Sequence, residues 1–293
     1  MLLWPACCAT SKSASPAPDA QHRQSPLLSR PHPACVTMAS IPGLPPRTAQ
    51  LFRILAGVPS LSAFVLVGGT AMALQCRHRL SEDLDLWLPE GRLTERGIRP
   101  ALEAARDAGL DWHLTYPTES QSSSFRIQRG LFEGIRLEDR MREYDVSGVK
   151  LQFFAAEEHE RNVFGPHAAG ALHRTGEMPF DTSFGIMPLD GIFAMKAYAI
   201  QRRHRTRDVL DLWHFVRAGK RIDEIISAAQ QVASTATAER AVAVLRGDWP
   251  ADQEDEGFHS LAPDVTLKQI RDDFCAWTDA YEQDRARHAV RGG

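Results

Sequence analysis

The sequence lacks any continuous apolar run of the length a membrane span needs, about 18 residues or more, so it predicts no transmembrane helix and no membrane partner. Cysteine is scarce. Cys7, Cys8 and Cys35 lie near the start, and Cys76 and Cys275 stand alone. That spacing offers neither a disulfide ladder nor a zinc-binding pair, and it predicts a reducing, cytoplasmic location. The apolar opening MLLWPACCA has no basic residue before it and makes a poor secretory signal. An excess of positive charge is absent too. The formal net charge is -3, so any nucleic-acid contact would need a local basic patch. There is no internal repeat, no Gly-x-Ser-x-Gly frame for a serine hydrolase and no Gly-Lys-Ser/Thr phosphate loop. His159, His167 and His173 show neither an i,i+4 pair nor a His-Glu-x-x-His spacing, which leaves them as surface or loop residues.

What remains is a globular composition, 43% hydrophobic and 24% charged, long enough for one large or two modest domains. Residues 1–45 are rich in Pro, Ser and Ala, with little apolar periodicity. They are expected to form a disordered tail, with Met38 a candidate natural start. Residues 46–160 alternate helical and strand patterns. A helix is expected over TAQLFRILAGV, a buried strand over 64–67, a helix over 71–80 and a strand over 83–88. A helix over 97–109 follows, then strands over 112–116, 124–128 and 135–137. A final strand pair over 144–154 turns at Ser147-Gly148. Residues 161–293 read as helical, with 189–203, 207–216 and 266–287 the clearest elements and a Pro- and acid-rich loop at 249–256. The fold class is α+β: a mixed sheet flanked by helices, followed by a mostly helical C-terminal half.

One stretch, LVGGTAMALQCRHRLSEDLDL, carries chemistry. In a strand, positions i and i+2 share a face, so Asp83 and Asp85 would stand side by side, roughly 7 Å apart at Cα. Two carboxylates that close repel unless a cation lies between them, and magnesium favours carboxylate oxygens together with phosphate oxygens. Gly68 and Gly69 end a strand and open a helix, which exposes backbone N–H groups at the positive end of a helix dipole. Thr70 can cap that helix or offer its hydroxyl to a phosphate. Each half alone is more often a turn or a solvated strand edge. Together, at this spacing, they are much more specific.

These residues closely resemble the first motif of the AbiEii/AbiGii toxin family of nucleotidyltransferases, within the DNA polymerase beta-like superfamily. The match covers the glycines, the small hydroxyl residue, His78-Arg79, Ser81 and Asp83-Leu84-Asp85. Lys196 with the alanines after it is similar to the second motif, and Arg207-Asp208 with Asp211-Leu212 to a later Arg-Asp and Asp-Leu pattern. The resemblance spans roughly residues 48–230. It implies a nucleotidyltransferase core that moves a nucleotidyl group from a nucleoside triphosphate to an acceptor hydroxyl. Asp83 and Asp85 would hold Mg2+, and Gly68, Gly69, Thr70, Lys196 and Arg207 would bind the nucleotide. Asp211 would be an essential acid that either accepts a proton or holds Lys196 or an arginine in place.

The resemblance also implies the toxin of a type IV toxin–antitoxin or phage-defence system, with a cognate antitoxin as protein partner and an RNA such as tRNA as a candidate acceptor. The basic cluster Arg202, Arg203, His204, Arg205 and Arg207 leans toward RNA. A small-molecule acceptor, as for antibiotic nucleotidyltransferases, is the alternative within this chemistry. One departure matters. Gln152 stands where superfamily members often carry a third carboxylate, and Asp145 is a substitute that the sequence does not place. A nucleotide-binding module without transfer is therefore the second reading.

Overall fold

The computed structural model describes residues 40–125, 136–176, 178–250 and 265–292. Most of the expected tail lies outside those residues, as does most of the acid-rich loop at 249–256. Ser40–Gly293 form one compact unit, which the helices of both expected halves share. Among the described residues no helix is long and apolar enough to cross a membrane.

The first helix among the described residues, α1 (Pro46–Ala56), begins with proline at its first position and buries Thr48, Leu51, Phe52 and Leu55, a stripe at helical spacing. Strand β1 (Val65–Val67) is buried throughout and runs straight into α2 (Gly68–Cys76). Strand β2 (Leu84–Leu88) returns antiparallel to β1. Helix α3 (Glu95–Asp107) is capped by the Thr94 side chain, which accepts from the Gly97 amide at 3.2 Å, and it buries Ile98, Ala101, Leu102 and Ala105. Then come β3 (Trp112–Tyr116), α4 (Glu119–Phe125) and the hairpin of β4 (Met141–Val146) and β5 (Val149–Ala155). Both residues of its turn, Ser147 and Gly148, have positive φ (52° and 84°). That is the two-residue geometry whose twist matches a hairpin.

Helix α5 (Glu158–Ala169) and the short strand β6 (Gly185–Ile186) lead into α6 (Leu189–Ala199), α7 (Thr206–Arg217), α8 (Ile222–Val232), α9 (Ala238–Arg246) and α10 (Leu267–Gly292). The sheet order is β3-β4-β5-β2-β1-β6, with β2–β5 and β1–β6 parallel and the other pairs antiparallel. One hydrophobic cluster runs through it and holds the fully buried Trp87, Phe153 and Trp213. Helices α6 and α7 pack on α2, the helix that begins at the glycines.

Two expected strands are corrected. Ser124 and Phe125 finish helix α4, and Arg136 caps a 3-10 turn that begins at Leu137 (Leu137–Asp139); residues 126–128 and 135 lie outside the described residues. Both segments, SFRIQ and IRL, do alternate polar and apolar, but over runs too short for that period to outweigh the alternatives. The predicted helix over 71–80 starts earlier and stops at Cys76, where Arg77 takes a left-handed conformation.

Candidate active site

The glycine bend and the acidic pair meet. Val67 is the register partner of Asp85, so the start of α2 lies beside the β2 carboxylates. Gly68 has φ +72°, and a Cβ there would come within 2.7 Å of Asp85 Oδ2; backbone geometry and space both exclude a side chain. At Gly69 a Cβ would sit 2.1 Å from Arg79 Nη2, so the glycine leaves room for that guanidinium to pass beneath the turn. The Thr70 hydroxyl is turned inward and fully buried. It bonds Ser81 Oγ at 2.8 Å and the Asp83 carbonyl, tying the helix start to the segment that carries the acids. Asp83 immediately precedes β2, and its carboxylate accepts from Arg207 Nη1 at 3.4 Å. Burial, and then the charge of Asp83, push the Asp85 carboxyl above its ordinary value. A mutually repelling pair of this kind is a donor set suited to a divalent cation. Among the described residues no cluster of three or more His, Cys, Asp or Glu is placed to hold a metal.

Behind the acids lies a buried ionic network. Lys196 Nζ is 2.6 Å from Asp208 Oδ1 and 2.6 Å from Asp211 Oδ2. Arg79 grips Asp211 with both prongs, Nε to Oδ1 at 2.7 Å and Nη2 to Oδ2 at 3.2 Å. His78 Nε2 is 2.7 Å from the same Oδ1. Arg203 Nε donates to Asp208 Oδ2 at 2.8 Å. Burial alone would raise both aspartates. The charges of Arg79 and Lys196 outweigh it and hold Asp211 well below the usual carboxylate range, as those of Lys196 and Arg203 do for Asp208. Burial lowers His78 despite its bond to Asp211, which keeps the ring neutral. His214, packed edge-on against His78 with ring centroids 5.0 Å apart, is pushed down to about 4, mainly by burial.

Two recesses open on this assembly. The smaller, about 60 Å³, is almost wholly polar and is walled by Gly69, Ser81, Gln152 and a dense set of charges. Six cationic side chains (Arg79, Lys150, Lys196, Arg203, Arg205 and Arg207) face three acids, Asp83, Asp85 and Asp208. The larger, about 610 Å³, runs from Gly68, Asp85 and Lys196 out between the sheet and helices α5 and α6. Gln152 on β5 is the direct register partner of Asp85, so an amide stands beside the acidic pair. Asp145 is elsewhere. Its carboxylate accepts from the Gly148 amide at 3.0 Å and closes the β4–β5 turn, so it does not replace a third acid.

Of the residues singled out from the sequence, Gly68, Gly69, Asp83, Asp85, Lys196 and Arg207 thus line one connected region. Asp211 sits behind it and Thr70 beneath the bend. Arg207, Asp208 and Asp211 stand three and four positions apart on α7 but do not share one surface cluster. Instead the two aspartates turn inward to Lys196 while Arg207 reaches out to Asp83. Sequence reasoning gave no task to Lys150, left Arg79 as a motif match without a role and placed Arg203 only within a basic cluster. Gly69 was the available signal for Arg79, since a glycine inside a helical turn marks a close approach.

Among curated proteins none matches the chain. Among solved structures it is similar to a protein of H. pylori described as a nucleotidyltransferase, at 16% identity over 82% of this chain and 96% of that one, TM-score 0.43. It is also similar to MenT4, a nucleotidyltransferase toxin of Mycobacterium tuberculosis, at 15% identity over 85% and 93%, TM-score 0.41. Such distant likenesses carry no argument by themselves. The family model for the nucleotidyl transferase AbiEii toxin of type IV toxin–antitoxin systems matches residues 50–291, most of the chain, and this protein therefore belongs to that family and is a nucleotidyltransferase.

Proposed function

We propose that the protein transfers a nucleotidyl group from a nucleoside triphosphate, bound with Mg2+, to a hydroxyl of an RNA acceptor such as tRNA, and that a cognate antitoxin restrains it in a type IV or phage-defence pair. The single observation that carries this reading is the small polar recess. Six cations crowd around three acids, beside a helix N-terminus, in a chain whose net charge is -3. Such a place suits a polyphosphate. Asp83 and Asp85 would hold the cation, whose chemistry there would be to neutralise phosphate charge.

In the step itself the acceptor oxygen forms a bond to the α-phosphorus as the bond from that phosphorus to the β-bridging oxygen breaks. Pyrophosphate leaves, and the hydroxyl proton passes to solvent. The chain's work is positioning and charge stabilisation. The backbone N–H groups that open α2 and the guanidinium of Arg207 face the phosphates, with Lys196 presented from behind. Asp211 is fully buried, with both oxygens engaged, and its depressed proton affinity makes it a poor base. It acts as a positioning residue for Lys196 and Arg79. The cation excess of the recess, six against three acids, leans toward a polyanionic acceptor over a cationic antibiotic, while Arg140 and Arg202 in the larger cavity stand with Glu157 and Glu160. The cysteine usage fits the cytoplasm, where triphosphates and RNA are found.

Incubation with each labelled triphosphate and tRNA tests the reading. Wild type should label the RNA and release pyrophosphate, while Asp83→Ala and Asp85→Ala should do neither. Persistent labelling in both variants would overturn it. Labelling of an aminoglycoside but not of RNA would replace the acceptor. Gln152 motivates a second reading, a module that binds nucleotide without transferring it, because an amide brings no charge to the site. Binding without transfer to any acceptor would favour that module.

A further inference from the structure

Where two metal ions share a phosphoryl-transfer site they lie about 3.5–4 Å apart and clamp the attacking and leaving oxygens, and magnesium takes carboxylate oxygens from the chain to do so. One row of the sheet shows what this chain offers. Val67, Asp85, Gln152, Glu143 and Tyr116 are register partners in turn across β1, β2, β5, β4 and β3. Partners in register share a face, so the next acid along from Asp85 is two strands away, with the Gln152 amide between. That acid is engaged. Glu143 Oε2 is 2.7 Å from Lys150 Nζ, and Glu143 Oε1 accepts from Thr115 Oγ1 at 3.0 Å. Lys150 stands two positions before Gln152 on β5, on the same face, and walls the polar recess together with Asp83 and Asp85. Of the cations around Asp85, it does most to offset the repulsion from Asp83. Its side chain is 36% exposed, and an ammonium has three donors, of which Glu143 takes one. A second divalent ion here would find an amide oxygen, which carries no charge, and an ammonium that repels it.

We infer that Lys150 supplies the positive charge that a second metal ion would otherwise bring, so that the site takes a single divalent cation, held by Asp83 and Asp85, with the Lys150 ammonium set against the phosphates. The inference rests on the phosphate-site reading above. Lys150 makes and breaks no bond in the transfer. Its compact charge on a flexible stem donates to phosphate oxygens while Glu143 keeps hold of one donor.

Mn2+ in place of Mg2+ is the probe, alone and with the α,β-methylene analogues of the four nucleoside triphosphates, which cannot transfer. The full chain is compared with Lys150→Met and with Lys150→Met combined with Gln152→Glu. Electron paramagnetic resonance separates a lone bound ion from a coupled pair, and calorimetry gives the affinities. Wild type with its tightest analogue should show a lone ion. Lys150→Met should bind that analogue about tenfold more weakly, the scale of one lost hydrogen bond to a charged group. It should bind Mn2+ alone as tightly as wild type or tighter, because a cation beside the acids is gone. Damage to the fold would weaken both together. The double variant, with a third carboxylate and no ammonium, should hold a coupled pair. A coupled pair in wild type would overturn the inference. So would Lys150→Met with unchanged analogue affinity or with analogue and Mn2+ both weakened, and so would a double variant that keeps a lone ion. Wild type that binds Mn2+ but none of the analogues refutes the phosphate-site reading itself.

Discussion

Replacing Lys196 by methionine and Asp211 by asparagine separates the group proposed to act in the reaction from one expected to hold the fold. In this network two buried cations (Arg79 and Lys196) and the half-exposed Arg203 face two buried carboxylates, Asp208 and Asp211, with His78 neutral. Lys196→Met leaves two cations against two carboxylates. Asp208 keeps Arg203 at 2.8 Å, and Asp211 keeps both prongs of Arg79. The loss is then the hydrogen bonds of Lys196, about 1–2 kcal/mol. Asp211→Asn has nearly the same shape but leaves three cations against one carboxylate. An uncompensated buried charge costs about 3–5 kcal/mol, a large share of the roughly 5–15 kcal/mol that holds a domain folded. At about 2–4 °C per kcal/mol for a unit of this size, Asp211→Asn should melt about 10 °C below wild type and Lys196→Met only a few degrees. Denaturant and thermal unfolding give the stabilities, and transfer of labelled nucleotide gives the activity. Lys196→Met should be folded and inactive. Equal losses of stability, an Asp211→Asn variant within about 1 kcal/mol of wild type, or a Lys196→Met variant that still transfers at full rate would refute the reasoning.

Three further outcomes follow from the same geometry. Gly69→Ala drives a methyl into Arg79 Nη2, so it should displace the guanidinium from Asp211 and cost about 1–3 kcal/mol, read by denaturant unfolding; a variant as stable as wild type would count against the close approach. Thr70→Val removes the hydroxyl that joins Ser81 to the Asp83 carbonyl and should cost about 1–3 kcal/mol, and an unchanged midpoint would show that the tie is unimportant. His214 is depressed from 6.5 to about 4, so the unfolded chain binds the extra proton first. Its contribution is complete above about pH 6.5 and is lost as the pH falls toward about 4. The full shift corresponds to about 3 kcal/mol, reduced to about half by the solvent that reaches the ring. His214→Gln should flatten the stability profile in that window, and an unaltered slope would remove His214 as its source.

The sequence by itself determined the local pieces. Alternation and the paired positive-φ turn at Ser147-Gly148 specify the hairpin, a buried apolar run ending in Gly68-Gly69 specifies a strand that turns into a helix, and Asp83 and Asp85 share a face because strand geometry has a period of two. The family motif was legible for the same reason, since its residues lie within about twenty positions. Tertiary structure alone decided the rest. Arg79 and Asp211 are 132 positions apart, Arg207 and Asp83 are 124 apart, and Gln152 reaches Asp85 only through the β2–β5 register. No local periodicity encodes such contacts. They arise when α6 and α7 dock on α2, and burial there turns Asp208 and Asp211 inward because the desolvated Lys196 and Arg79 leave charge that those carboxylates balance.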